Sequence, residues 1–239
     1  MKKLFLLFAF VSLALIGCSD DDSDDNTTGP SDESISFPLA VGNWWTYNEY
    51  SYDAETETQG ELLSSSKIEI VEKTTFKGKT AYLVETDEDD EFNGSYFSNE
   101  NNDIWIGGLS FEDDEFGIAP DWMHFYDSDS DTWEVMNVDF TNGDSEEEIS
   151  IKIIGTGTKM GETSATINGK SYDGIKFRHV LSSSFTFTIF GEKINETTTT
   201  TSDYILLDGV GLYKITTVNE DVDEEDPNTV EVLTDFMVN

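Results

Sequence analysis

Few side chains in this 239-residue chain stand at spacings that chemistry could use. Cys18 is the only cysteine, so no disulfide can form within the chain. It lies between an apolar run and an acidic stretch, a place suited to covalent modification and not to burial. His124 and His179 are the only histidines. Zinc would require both to meet among carboxylates, and their spacing gives no warrant for it, so each is expected to be structural. Asp127, Asp129 and Asp131 set carboxylates at alternate positions, as in the first half of a calcium-binding loop. Thr132 then stands where the turn glycine would be, and Val138 where a bidentate glutamate would be. A solvated turn is expected there, with weak Ca2+ binding as the alternative and no other cofactor.

Catalytic patterns are missing from the sequence. There is no G-x-S-x-G elbow, no H-E-x-x-H pair and no phosphate-cradling glycine loop. Acidic pairs are so frequent that no glycosidase-type dyad stands out. The runs 87–91, 112–115 and 220–226 read as loop charge. The chain is therefore read as a non-enzyme, with an unrecognised hydrolase as the alternative. Its aromatics offer a different chemistry: Trp45, Tyr47, Trp105, Trp122 and Trp133 could line a face for an apolar ligand or a glycan. The plainer reading is that such rings fill a β core.

Charge narrows the partners. Fifty acidic residues against 13 basic ones give a formal net charge of −37. A surface so negative repels phosphate backbones, which argues against nucleic acid, and it keeps an exposed β-protein soluble.

The N-terminus reads as an address. Met1-Lys2-Lys3 is a short cationic start, and Leu4 to Ile16 is apolar except for Ser12. That run falls short of the roughly 20 residues a spanning helix needs and has the length of a signal-peptide core. Residues 18–34 then offer nothing hydrophobic to bury once past Cys18, so they form an acidic tether. Leu15-Ile16-Gly17-Cys18 resembles the lipobox of bacterial lipoproteins. The resemblance implies that residues 1–17 are cut away and that the Cys18 sulfur carries a lipid. Several acyl chains would hold the protein stably on a membrane, where one binds only reversibly. Cys-Ser-Asp-Asp-Asp further resembles the acidic signal that sends Bacteroidota lipoproteins to the outer face of the outer membrane; a periplasm-facing site is the alternative.

Residues 35–239 must supply the fold. From Trp44 onward the pattern has period two, rich in β-branched and aromatic residues. Strands are expected around 44–50, 68–74, 81–84, 95–97, 104–106, 122–126, 133–140, 149–156, 165–167, 175–190, 194–207, 212–218 and 230–237. Asn168-Gly169 marks a type I′ hairpin. A short helix over 116–123 is the one alternative to strand. The result is an all-β domain: a single antiparallel, strongly curved sheet, half-barrel or barrel, of roughly ten to twelve strands, because a long flat sheet would leave aggregating edges. Trp44 and Trp45 must point to opposite faces, so only one of them can join the core.

Two segments resemble a group of bacterial envelope lipoproteins. Phe37-Pro38-Leu39-Ala40-Val41-Gly42-Asn43-Trp44-Trp45-Thr46-Tyr47 is similar to their F-P-L-x-x-G-x-x-W-x-Y opening. Tyr204-Ile205-Leu206-Leu207-Asp208-Gly209-Val210-Gly211-Leu212-Tyr213-Lys214 is similar to their Y-x-x-x-G-V-G-L-x-K segment, with Tyr213 where valine is usual. Residues 169–177 occupy the place of a family hairpin strand. The resemblance implies a LolA-like half-barrel with an apolar concave face. Two functions follow as expectations. One is a non-catalytic module that binds an apolar ligand or glycan; the other is a structural lipoprotein that docks on another envelope protein. The two predict different interiors, an open apolar groove for the first and a filled one for the second.

Overall fold

The computed structural model describes residues 35–87, 94–108, 120–143, 147–189, 192–220 and 227–239. Cys18, the expected signal peptide 1–17, the tether 18–34 and most of the acidic runs lie outside the described residues.

Twelve strands follow one another: β1 (Trp44–Asp53), β2 (Thr58–Phe76), β3 (Lys79–Thr86), β4 (Tyr96–Glu100), β5 (Asp103–Gly107), β6 (Trp122–Tyr126), β7 (Thr132–Gly143), β8 (Glu147–Ile167), β9 (Lys170–Ile189), β10 (Glu192–Leu207), β11 (Gly211–Asn219) and β12 (Thr229–Met237). They form one sheet in the order β6-β5-β4-β3-β2-β1-β12-β11-β10-β9-β8-β7. Every neighbour is also a neighbour in sequence, except β1 and β12, which bring the two ends of the domain together along an antiparallel ladder. The expected all-β, single curved sheet is what forms.

Curvature continues until the edges β6 and β7 meet. They exchange no ladder bonds; side chains join them instead. The Trp133 indole on β7 donates to the His124 carbonyl on β6 at 2.9 Å, and Tyr126 meets the Trp133 ring edge-on. These contacts cover part of the edges that make open sheets associate. Trp133 can lie flat there because its cross-strand partner is Gly157, and a Cβ at that glycine would collide with the indole.

The turns follow local chemistry. Asn168 and Gly169 both take positive φ, at 52° and 80°, the type I′ geometry whose twist matches the flanking strands. Where sequence suggested separate strands at 149–156 and 165–167, β8 runs unbroken for 21 residues. A register shift between Lys159 and Gly161 lets the chain stay paired to β9 through its polar middle. The polar first half of β2, including Ser64-Ser65-Ser66, was invisible as a strand; it extends because β1 pairs with it. Of the alternative helix over 116–123, residues 122 and 123 belong to β6 and 116–119 lie outside the described residues.

The barrel is lopsided. β4, β5 and β6 have five residues each, while β8, β9 and β10 have 21, 20 and 16, so the long strands continue where the short ones have ended. Residues 192–199 of β10 lie beyond the last pair with β11, Thr200–Asn219. This overhang is at the end remote from residue 35. At the near end Phe37 is buried, stacked between Trp45 and Phe97, and closes the interior.

Candidate functional site

Interior space is occupied by rings. Phe125, Phe177 and Tyr204 are almost wholly buried, with Phe177 stacked on Tyr204 at 4.7 Å and Phe125 edge-on to both. Trp133 and His179 complete the group. The alternation of each strand sends these residues inward, and their cross-strand register puts them at one level: Phe177 opposite Tyr204, Tyr204 opposite Ile215. His179 Nε2 lies 2.8 Å from the Phe125 carbonyl and, as the protonated nitrogen, donates to it. Burial drives its pKa down to about 3, against the smaller upward pull of that bond, so the imidazole stays neutral. Burial likewise holds the Tyr204 and Tyr47 phenols protonated, well above the ordinary range.

The five sequence-selected aromatics do not share a face. Trp45, Tyr47 and Trp133 are core residues with their polar atoms satisfied internally: Trp45 Nε1 donates to Val210 O at 2.6 Å, Tyr47 Oη to Leu212 O at 2.9 Å, and Trp133 to His124 O. Trp105 and Trp122 alternate with the core residues Ile104, Ile106, Met123 and Phe125, which turns them to the outer face. There Trp105 stacks on His124 at 3.9 Å and 3°, under the ammonium of Lys79 at 4.1 Å, and Phe76 meets the edge of Trp122. The reason is parity. Trp105 and Trp133 look alike in sequence, but each strand's register decides which side its odd positions face.

The three aspartates form a turn. Asp127 Oδ1 accepts the backbone N–H of Asp129 at 2.8 Å and of Ser130 at 2.9 Å, and Oδ2 accepts the Ser130 hydroxyl at 2.8 Å. Burial pushes its pKa up, but the Ser130 hydroxyl and the two N–H groups outweigh that and hold it below the ordinary value. Asp129 and Asp131 do not join it: among the described residues no group of three His, Cys, Asp or Glu could hold a metal ion.

A polar cluster that sequence reading missed lies on the outer face of β9, β10 and β11. Asp203 accepts two bonds from Arg178, Nε at 2.6 Å and Nη2 at 3.0 Å, and an ion pair from Lys176 at 2.7 Å. Burial opposes ionisation of Asp203, yet its cationic partners keep the pKa below the ordinary value. The available signal was the i, i+2 spacing of Lys176 and the chain's single arginine, which places both on one strand face. Its significance depended on the β10 partner.

No protein-family model matches the chain, and no curated protein does. Among solved structures, the chain is similar to a protein of Parabacteroides distasonis provisionally described as a lipoprotein, with a TM-score of 0.47 and 14% identity over 85% of this chain and 99% of that one. It is also similar to a protein of Bacteroides fragilis provisionally described as exported, with a YmcC-like fold, at a TM-score of 0.42 and 10% identity over 85% and 99% of the two chains.

Proposed function

We propose that this protein is a non-catalytic envelope lipoprotein, anchored through a lipid on Cys18, whose barrel docks on another envelope protein. One observation carries the reading: the interior at the level of Tyr204 is filled by mutually packed rings, so recognition falls to the outer face and the free rim. The anchor sets the orientation. Phe37 closes the end from which the chain leads back to Cys18, and the overhang of β8–β10 points away from it. An outer-membrane site displayed at the cell surface follows from the acidic residues after Cys18, with the periplasm-facing site as the alternative.

A photo-crosslinking residue placed at Ile194, half exposed on the overhang, tests this in intact cells. One defined protein partner is expected, lost at high salt because an acidic face is screened. Absence of any protein adduct, together with a lipid or glycan co-purifying in native mass spectrometry, would reject docking in favour of ligand binding. That second reading has its own support: Phe140, Ile149 and Phe185 lie on the overhang's inner side and pack only partly buried against the core.

A further inference from the structure

We propose that the outer face of β9, β10 and β11 holds a binding site for a phosphate group, formed by Lys214 together with Lys176 and Arg178. In a chain with 50 acids and 13 bases, cations should find carboxylates easily. Here Lys176 and Arg178 share one, Asp203, and Lys214 stands on the same face, one strand further on. Lys176 faces Ile205, which faces Lys214; one row along, Arg178 faces Asp203. These positions share a face because paired residues in adjacent strands point the same way. Asp203 is committed to Lys176 and Arg178. Lys214 has no carboxylate within ion-pair distance among the described residues.

The surroundings of Lys214 make that arrangement costly. Val232 lies opposite it on β12 and Ile205 on β10, and Val230, the next outer-face position on β12, is fully buried under Tyr50 and Tyr52. The charged groups acting on Lys214 are Lys176, which opposes its charge, and Asp203, which favours it. Burial is the largest influence and brings its pKa down to about 8. A half-buried ammonium without a carboxylate would normally be selected against. An anion seated there removes the penalty.

The surplus identifies the ligand class. Three cations against one carboxylate leave two positive charges, which match a phosphate monoester that carries about −1.5 to −2 near neutral pH. Asp203 takes the Nε and Nη2 edge of Arg178, which leaves the Nη1 side of the planar guanidinium for phosphate oxygens, beside the point charge of the ammonium. A carboxylate ligand would neutralise only half the surplus. This site stands independently of the docking reading above.

The test is titration of the folded, reductively 13C-methylated protein with inorganic phosphate, at a constant ionic strength of about 0.15 M. Phosphate should saturate the shift of the Lys214 methyl resonance and raise its pKa, with the resonances of Lys67 unmoved. Lys214→Met should weaken binding by about tenfold or more, as loss of a charge-assisted bond requires. Asp203→Asn, which adds to the surplus, should tighten it. Vesicles of phosphatidylcholine with and without phosphatidic acid separate the sources: recruitment by phosphatidic acid, abolished in Lys214→Met, identifies a lipid headgroup. A phosphate shift without recruitment identifies a soluble phosphorylated compound. The proposal is overturned if no saturable shift occurs into the millimolar range, or if Lys214→Met, folded by circular dichroism, binds phosphate as well as the parent.

Discussion

Trp45 and Val210, 165 positions apart, are joined by a 2.6 Å hydrogen bond from the indole N–H to the backbone carbonyl. Tyr47 repeats the relationship with Leu212 at 2.9 Å. The two segments that resemble envelope-lipoprotein motifs thus meet inside one barrel, where β1 lies beside β12 and the chain between β10 and β11 crosses beneath the indole. Trp45→Phe keeps most of the apolar contact but leaves a buried carbonyl unpaired. The expected loss of unfolding free energy is about 1–3 kcal/mol in urea. Trp44→Phe, on the opposite face beneath Lys67, should cost less than about 0.5 kcal/mol. Equal losses would show that the face assignment is wrong.

His179 should make the fold acid-sensitive. Its pKa is about 3 when folded and near the ordinary imidazole value of 6.5 when unfolded. Below pH 6.5 the unfolded chain therefore takes up a proton that the native chain refuses. Stability is complete above that pH and declines as pH falls toward 3. Carboxylates add their own acid limb, so the measurement is a difference. Between pH 6.5 and 4, His179→Phe should lose stability less steeply than the parent. Parallel curves would remove the linkage.

Gly157 and Trp133 set the seam between β6 and β7. Gly157→Ala must displace the indole and with it the bond to His124 O. A loss of about 1–3 kcal/mol is expected, as for overpacked cores. Faster amide exchange should be concentrated in β6 and β7. Uniform exchange through the barrel would argue that the seam is not a separate structural joint.

Asp127 is expected to behave as a turn acceptor. Asp127→Ala should cost roughly 1 kcal/mol, whereas calcium or a chelator should leave the melting temperature unchanged. A calcium-dependent rise abolished by Asp127→Ala would establish the metal reading instead.

Cys18→Ser should abolish incorporation of a palmitate analogue and release the protein from membranes. Persistence of either property would remove the anchor on which the proposed function rests.

Some of this was legible from the chain alone. Alternation of apolar and polar residues marks a strand through local geometry, so β1 and the second half of β10 were readable from their own residues, whereas the aromatic run of β6 left a short helix open. Asn168-Gly169 announced its turn for the same reason, since positive φ is a property of individual residue types. Even the division of Trp44 from Trp45 followed from the two-residue period. Tertiary structure decided which parity faces inward. It put Trp45 and Trp133 in the core and Trp105 and Trp122 outside, and it drew the serine-rich start of β2 into the sheet. It also set Lys176 and Arg178 on a single aspartate, with Lys214 on the same face. The physical reason is that a strand's faces are equivalent until its neighbours' register bends the sheet around one of them. That choice is made by pairings such as Trp44 with Met237, between residues at opposite ends of the domain.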